Sequence, residues 1–399
     1  MNAALRIREL RIYRLSIPMR VRFEHAAAAR DVADPVIVAL VPAAPYAHLA
    51  GYGETLARAY VTGETAESVV DDATHVFAPH LSNYSVTSFV EALEVAEALP
   101  QQVGGRVVTA TRAAVELALL DLACKAFGRR PADIAGWMGL VGFGHPGCAA
   151  TARYSGVVVG RTRRRLQGFL RLQRAYGLRD FKLKVAIAGW EERLAWAYRV
   201  LRRPIEAQRA TLRVDANAGW SLVEANEAIV LLEEHGVCAL EQPLPESYDA
   251  DLPYLAEQTA CHLIADESLL TSEDAQRLIA AGGVHVLNVR IAKNGGLMPS
   301  LRIARLALAA GLDVQLGCMV GETSILTAAG AAFLEICPHV RFVEGGFGTL
   351  LLREDVTRRP WRFGFGGRMR PRRGPGFGVD VDPAALERLS VDHARVAPL

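Results

Sequence analysis

Three lysines and three carboxylates, in a fixed order along the chain, are the residues with chemistry to offer. Lys182-Leu183-Lys184 lies in the run Phe181 to Val185, which alternates as a short strand does. Alternate side chains of a strand share a face, so the two lysines point one way and Phe181, Leu183 and Val185 the other. Adjacent ammonium groups repel, which predicts a depressed pKa in at least one and a general base working near neutral pH. A strand with one solvated face carries the same pattern, so the pair needs support from elsewhere. Downstream stand Asp215, Glu241 and Asp266, then Lys293. Three oxygen ligands on neighbouring strands suit a hard cation such as Mg2+, or Mn2+, with positions left open for substrate. Taken singly, Asp215 or Asp266 reads as readily as the start of the next turn, and Glu241, before Gln242-Pro243, as an exposed loop residue. Together, a metal with lysines on opposite sides would bind a carboxylate and stabilise the dianion left when its α-proton is removed. Lys184 and Lys293 would then face each other across the α-carbon, one taking the proton and the other returning it on the opposite face.

Such a site requires elements that bring these residues together. From about Ala149 strand-like segments alternate with amphipathic helices every 25 to 30 residues or so, roughly the βα signature of a parallel sheet. The strands read at Ala152 to Val159, Phe181 to Val185, Thr211 to Asp215, Cys238 to Glu241, His262 to Asp266, His285 to Ile291, Asp313 to Cys318 and Val340 to Glu344. Helices between them include Trp190 to Arg202, Leu222 to His235, Ser272 to Ala281 and Pro299 to Ala310. That count is the count of an α/β barrel, whose active site lies at the C-terminal strand ends. There the second strand presents Lys182 and Lys184, the third Asp215 and Asn217, the fourth Glu241, the fifth Asp266 and Glu267, and the sixth Lys293.

The chain before the barrel mixes elements without regular alternation. Leu5 to Pro18 reads as a strand, Val36 to Val41 with His48 to Glu54 as a hairpin pair, and Arg22-Phe23-Glu24-His25 with the following alanines as a loop. Helices are expected at Ala66 to Ala78, Thr87 to Ala98 and Thr109 to Phe127, the last largely buried. These readings divide the chain into an N-terminal α+β domain over 1–148, a barrel over 149–349, and a Gly-, Pro- and Arg-rich segment over 350–399 that packs back on the first domain. A formal charge of +2 over 399 residues gives no electrostatic case for nucleic acid. The arginines at Arg161 to Arg165 and at Arg368, Arg370, Arg372 and Arg373 read as solvated faces. Six scattered cysteines show no zinc spacing, and no apolar run has signal-peptide or membrane-spanning length. A reducing cytoplasm and no membrane partner are the expectation.

The motifs Lys182-Leu183-Lys184, Asp215-Ala216-Asn217, Glu241-Gln242-Pro243, Ala265-Asp266-Glu267-Ser268 and Lys293-Asn294-Gly295-Gly296 resemble, in order and spacing, the enolase superfamily and its mandelate racemase/muconate lactonizing subgroup. Gly51-Tyr52-Gly53-Glu54-Thr55 and Tyr60-Val61-Thr62-Gly63-Glu64 resemble that family's first domain. The resemblance implies a (β/α)7β TIM-like barrel whose mouth is covered by an N-terminal α+β capping domain, completed by the C-terminal segment. It implies Asp215, Glu241 and Asp266 as ligands of Mg2+, and Lys184 and Lys293 as the acid/base pair. Lys182 would hold the substrate carboxylate and lower the pKa of Lys184, while Asn217 and Glu267 orient the ligands or a lysine. Use of a Lys or His base with Mg2+ and an enediolate is a general property of the superfamily. His25, in the Phe23 to Arg30 loop, would be a substrate contact or a solvated histidine. A homo-oligomer is also implied.

Two departures bear on substrate. Dipeptide epimerases of the subgroup carry Asp-x-Asp after the eighth strand to hold an ammonium, whereas this chain has Glu344-Gly345-Gly346-Phe347-Gly348. After the seventh strand comes Gly317-Cys318-Met319-Val320-Gly321-Glu322, with Glu322 either a substrate or lysine contact or the start of the next helix. The expected activity is racemisation or epimerisation of an N-acylamino acid or related derivative. The alternatives are muconate cycloisomerisation and elimination of the o-succinylbenzoate synthase type, which need one lysine as proton carrier. A non-catalytic metal-binding scaffold is the remote alternative, since a lost activity would tolerate loss of the lysines or ligands and none is missing.

Overall fold

The structure, a computed structural model, describes residues 3–25, 28–370 and 374–399, with the side chains of 22–25, 28, 29 and 150 left aside. Eight parallel strands follow one another in chain order, the arrangement of a (β/α)7β barrel. They are Gly156–Val158, Asp180–Lys184, Thr211–Asp215, Val237–Glu241, His262–Ala265, Val286–Val289, Asp313–Leu316 and Phe342–Val343. The sheet curls until a parallel bridge joins Tyr154 to Val343, with Ser155 N donating to Val343 O at 2.7 Å. Each strand falls within four residues of its expected bounds, because short apolar runs bounded by polar turns have few other ways to bury both faces.

The helices between strands start on local signals. Ser221 accepts from Glu224 N while Glu224 reaches back to the Ser221 amide, and Thr271 with Asp274 repeats this capping box. The register sets the height of the site: Lys184 is the Cα partner of Asp215, and Asp215 of Glu241. Three charged residues therefore share one layer at the C-terminal ends of strands two to four.

The N-terminal region forms an antiparallel sheet in the order Arg395–Pro398, Leu5–Arg14, Val36–Pro42, Gly51–Thr55. The C-terminal strand is thus an edge of the sheet that the chain begins. Gly51 and Gly53 face the buried helix Thr109–Phe127 so closely that a Cβ on either would lie about 2 Å from Ala118 O or Ala114 O. Only glycine permits that approach, and it seats the neighbouring Glu54.

One expectation fails here. Residues 22–25 do not become a loop: Ile17–His25 is a strand paired with Ala28–Ala33, in register Phe23 to Arg30 and His25 to Ala28. The alternation of Ile17, Met19, Val21 and Phe23 continues past Pro18, and that period-2 pattern prevails over the loop-like composition that follows. The helix from Ala66 also runs further, passing through a π-helical stretch at Ala73–Phe77 into Ala78–Leu81. Among the described residues no helix is long and apolar enough to cross a membrane.

Candidate active site

The strand ends gather a dense cluster of opposite charges. Lys182 is the hub: its Nζ lies 2.8 Å from Asp215 Oδ2, from Glu241 Oε1 and from Glu344 Oε1. Lys184, further out and partly exposed, donates to Asp215 Oδ2 at 2.6 Å and to Asn217 Oδ1 at 2.7 Å. Asn217 passes the chain on, its Nδ2 donating to Glu267 Oε1 at 3.0 Å. Across the barrel, fully buried Lys293 donates to Asp266 Oδ1 at 2.9 Å, Asp266 O at 2.6 Å and Asn288 O at 3.0 Å. Arg290 pairs with Asp266 and lies 3.7 Å from Glu241 Oε1.

The backbone prepares these positions. Asn217 and Gln242 adopt positive φ, at 47° and 36°, which turns the chain sharply off the third and fourth strands. Gln242 then accepts from Asp266 N at 2.9 Å and Ser268 N at 3.2 Å through Oε1, fixing the turn that carries Asp266. Gly296, at φ +117°, leaves no Cβ where Glu116 Oε2 would sit 2.1 Å away. Glu116 can thus accept from Leu297 N and Met298 N at 2.7 and 2.9 Å, anchoring the loop that bears Lys293.

Of the two lysines, at least one of which mutual repulsion was expected to lower, Lys182 is raised: burial opposes its charge, but Asp215, Glu241 and Glu344 together overcome burial. Acids from three other strands also outweigh the repulsion from Arg213. Lys293 goes the other way, brought well below the ordinary lysine range by full burial and by Arg290 alongside. Burial raises Asp215, but Lys182 and Lys184 more than reverse this and hold it well below the usual range. Glu344 behaves likewise, held at about 2 against burial by Lys182 and Arg213. Glu241 and Glu267 are raised, by burial first and then by Asp215.

Of the expected substrate contacts, Glu344 belongs to the cluster, its Oε1 taken by both Lys182 and Arg213 at 2.8 Å. Glu322 lies apart from the lysines. It precedes helix Ser324–Ile336, accepts from Thr327 Oγ1 at 3.1 Å, and is pushed to about 8 by burial and by Glu54. With Tyr154, Arg290, Cys318 and Glu344 it lines a cavity of about 10 Å³, room for one water. The His25 side chain lies outside the described residues.

Four residues escaped the sequence reading. Arg213, fully buried, pairs with Glu344 and donates to Ser155 Oγ at 3.1 Å. Asn288 and Gln315 donate to the two oxygens of Glu241, at 3.1 and 2.8 Å. Arg290 is the fourth. A signal existed: Arg213, Asn288 and Gln315 are single polar residues inside otherwise apolar strands, and a buried strand accepts such a residue only where a partner waits.

Asp215, Glu241 and Asp266 occupy consecutive strands and are fully buried, which suits a hard divalent ion. Among the described residues no three His, Cys, Asp or Glu side chains converge as ligands on one point. The acid oxygens turn instead to Lys182, Lys293 and Arg290, protein cations standing where a positive charge is favoured. Glu267 Oε2, Asn288 Oδ1 and Gln315 Oε1 are buried acceptors with no protein partner, and they add unspent oxygen capacity to the site. The donor chemistry therefore fits a hard cation, with the lysines and Arg290 as its present competitors. Five carboxylates (Asp215, Glu241, Asp266, Glu267, Glu344) face five cations (Lys182, Lys184, Arg213, Arg290, Lys293), a formally neutral cluster.

Most of the chain is similar to known proteins. The family described as "Enolase C-terminal domain-like" matches residues 166–385. The chain is 30% identical to the L-Lys-D/L-Arg epimerase of Methylococcus capsulatus over 338 residues, covering 83% of this chain and 87% of that one. It is 28% identical to muconate cycloisomerase 1-2 of Acinetobacter lwoffii over 349 residues, 88% of this chain and 86% of the other. Among solved structures, a dipeptide epimerase from Cytophaga hutchinsonii, complexed with Mg and D-Ala-L-Val, superposes with a TM-score of 0.78. It shares 22% identity over 98% of this chain and 99% of that one, a likeness of fold.

Proposed function

The chain belongs to the enolase superfamily, in its mandelate racemase/muconate lactonizing subgroup, and from that premise we propose that it is a racemase or epimerase of an N-acylamino acid or related carboxylate. The observation that carries this reading is that Lys184 ends the second of eight strands and Lys293 lies in the turn after the sixth, at opposite ends of the row Asp215, Glu241, Asp266. Two lysines so placed can serve both faces of an α-carbon: one accepts the α-proton while the other donates to the opposite side. Lys182, ringed by three acids, remains a fixed cation for a substrate carboxylate. Asn217 accepts from the Lys184 ammonium and is itself held by Glu267, and Asn288 and Gln315 fix the two oxygens of Glu241.

Mg2+ bound by Asp215, Glu241 and Asp266 would supply Lewis-acid stabilisation of the substrate carboxylate as negative charge builds on it. Because the side-chain cluster is already neutral, a divalent ion adds two positive charges, the amount a dianion balances. The acyl group follows from Glu344. Its carboxylate is already shared between Lys182 and Arg213, so a free substrate ammonium there would meet two cations rather than an unpaired acid. A neutral amide would not.

Muconate cycloisomerisation is the second reading, favoured by the 28% identity to the Acinetobacter lwoffii enzyme across most of both chains. It would use the same carboxylates with one lysine as proton carrier. The deciding experiment incubates the enzyme and Mg2+ in D2O with N-succinyl- and N-acetylamino acids, dipeptides and muconates, following α-proton exchange by NMR. Exchange into both enantiomers of an N-acylamino acid is expected. Lactone formation from a muconate without such exchange selects the second reading. No exchange with any compound, and no effect of Mg2+ on thermal stability, leaves only a non-catalytic scaffold.

A further inference from the structure

The opposite end of the barrel carries a second charged feature, and its charges do not cancel. Arg153, Arg174, Arg179, Arg209 and Arg368 line one cavity of about 680 Å³. The fold brings them together from four chain segments. Arg153 leads into the first barrel strand and is bridged, antiparallel, to Arg368 of the C-terminal segment. Arg179 immediately precedes the second strand, and Arg209 lies two residues before the third. The two approaches run side by side, with Thr211 N donating to Arg179 O at 3.0 Å. These are the N-terminal strand ends, about 15 Å from the carboxylate cluster for strands of this length.

Among the described residues none of the five arginines forms an ion pair. Arg174 donates to the Leu178 carbonyl at 3.0 Å, and the one carboxylate in the lining, Asp180, is engaged by Thr211 Oγ1 at 2.7 Å. Burial, then Arg209 and Arg179, lowers the pKa of Arg174, so these charges act on one another. Elsewhere on the surface arginines do find acids: Arg202 with Glu206, Arg341 with Asp313, Arg388 with Glu354. Five like charges around one concavity cost stability unless something negative enters it. The rim also carries Phe365, 65% exposed, its ring 5.5 Å from that of Tyr176.

We propose that this cavity is a binding site for an oligophosphate anion, separate from the catalytic mouth. Guanidinium groups match phosphate oxygens in pairs, and five of them from four segments exceed what a single phosphate or carboxylate would engage. The volume is that of a small-ligand site. An inorganic chain and a nucleoside polyphosphate share this chemistry, and Phe365 separates the two, because a base can stack on an exposed ring.

The test uses the full-length enzyme in EDTA, so that no metal complex of the anion can address the carboxylates. Inorganic triphosphate and ATP are titrated by calorimetry and thermal shift, against KCl at equal ionic strength. Saturable binding by at least one anion is expected, weakened on the order of tenfold or more in Arg179→Ser/Arg209→Ser. Single Arg209→Ser, altered at an exposed side chain, should show a smaller loss in the same direction and serves if the double variant is unstable. A loss of ATP but not triphosphate affinity in Phe365→Ala identifies a nucleotide; equal retention of both identifies the phosphate chain alone. Stabilisation no greater than that by KCl, or undiminished affinity in the arginine variants, overturns the proposal.

Discussion

Carboxylates at the barrel mouth are met by side-chain cations, whereas those at the seam between the N-terminal region and the barrel are met by backbone N–H groups. Glu54 accepts from Thr323 N and Oγ1 at 2.7 Å and from Leu326 N at 2.8 Å, at the start of helix Ser324–Ile336. Glu116 does the same for helix Leu297–Ala309. Their protonation differs accordingly. Burial pushes Glu54 and Glu116 up to about 7 despite these hydrogen bonds, while full charges hold Asp215 and Glu344 down. Ammonium and guanidinium groups on flexible stems can give up a carboxylate to another cation; amides fixed in a helix cannot. The mouth is therefore built for exchange of partners and the seam for permanence.

The largest expected effect tests the mouth. Lys184→Ala and Lys293→Ala should each slow exchange from one enantiomer by about 10²–10⁴-fold, or some 3–5 kcal/mol of barrier. Chiral NMR of the deuterium product reads this out. Should Lys293→Ala retain full turnover in both directions, the two-base mechanism is wrong. At the seam, Glu116→Ala leaves two helix N–H groups and Arg112, 3.6 Å away, without their acceptor. A loss of about 3 kcal/mol in urea unfolding is expected, with activity per folded molecule retained. A large fall in activity at unchanged stability would erase the distinction between the two regions.

What the sequence disclosed follows the same division. Barrel strands such as Thr211–Asp215 were legible because a short apolar run ending in a polar turn leaves little choice, and the chemistry sits at those ends. Partnerships across strands were not. Nothing near Lys182 in sequence announces that Glu241 and Glu344 will surround it, so its raised pKa could not be read from its neighbour Lys184. Arg290 and Arg213 were hidden for the same reason, as were the seam glutamates, whose backbone donors lie some 180 to 270 residues away. The hairpin at Ile17–His25 was missed differently: its alternation was present, and the alanines after it obscured the signal.

Metal addition should separate the regions by a smaller amount. If the mouth exchanges partners, Mg2+ at a hundred times its Kd stabilises the protein by about 2.7 kcal/mol. EDTA should remove the effect. Glu116→Gln keeps the increment and Glu241→Gln loses it, as thermal shifts at matched ionic strength would read. An increment that survives in Glu241→Gln places the ion elsewhere.

The smallest effect is a pH slope. Glu54 titrates near 7 in the folded chain against an ordinary 4.5, so between those values the native state holds a proton the unfolded state has released. Stability from this group therefore falls as pH rises from about 4.5 to 7 and is level above that. Asp355 and Glu322, the acids that act on it, push in the same direction. Glu344 has the opposite sign: its contribution is complete above 4.5 and is lost only as pH falls toward 2. Glu54→Gln should thus trail the wild type by more at pH 5 than at pH 8, the gap narrowing by roughly 2 kcal/mol. Glu344→Gln should show a constant gap over the same window. Denaturation midpoints at the two pH values decide between them: a flat Glu54→Gln gap would mean that the helix amides hold that carboxylate as firmly as lysines hold those of the mouth.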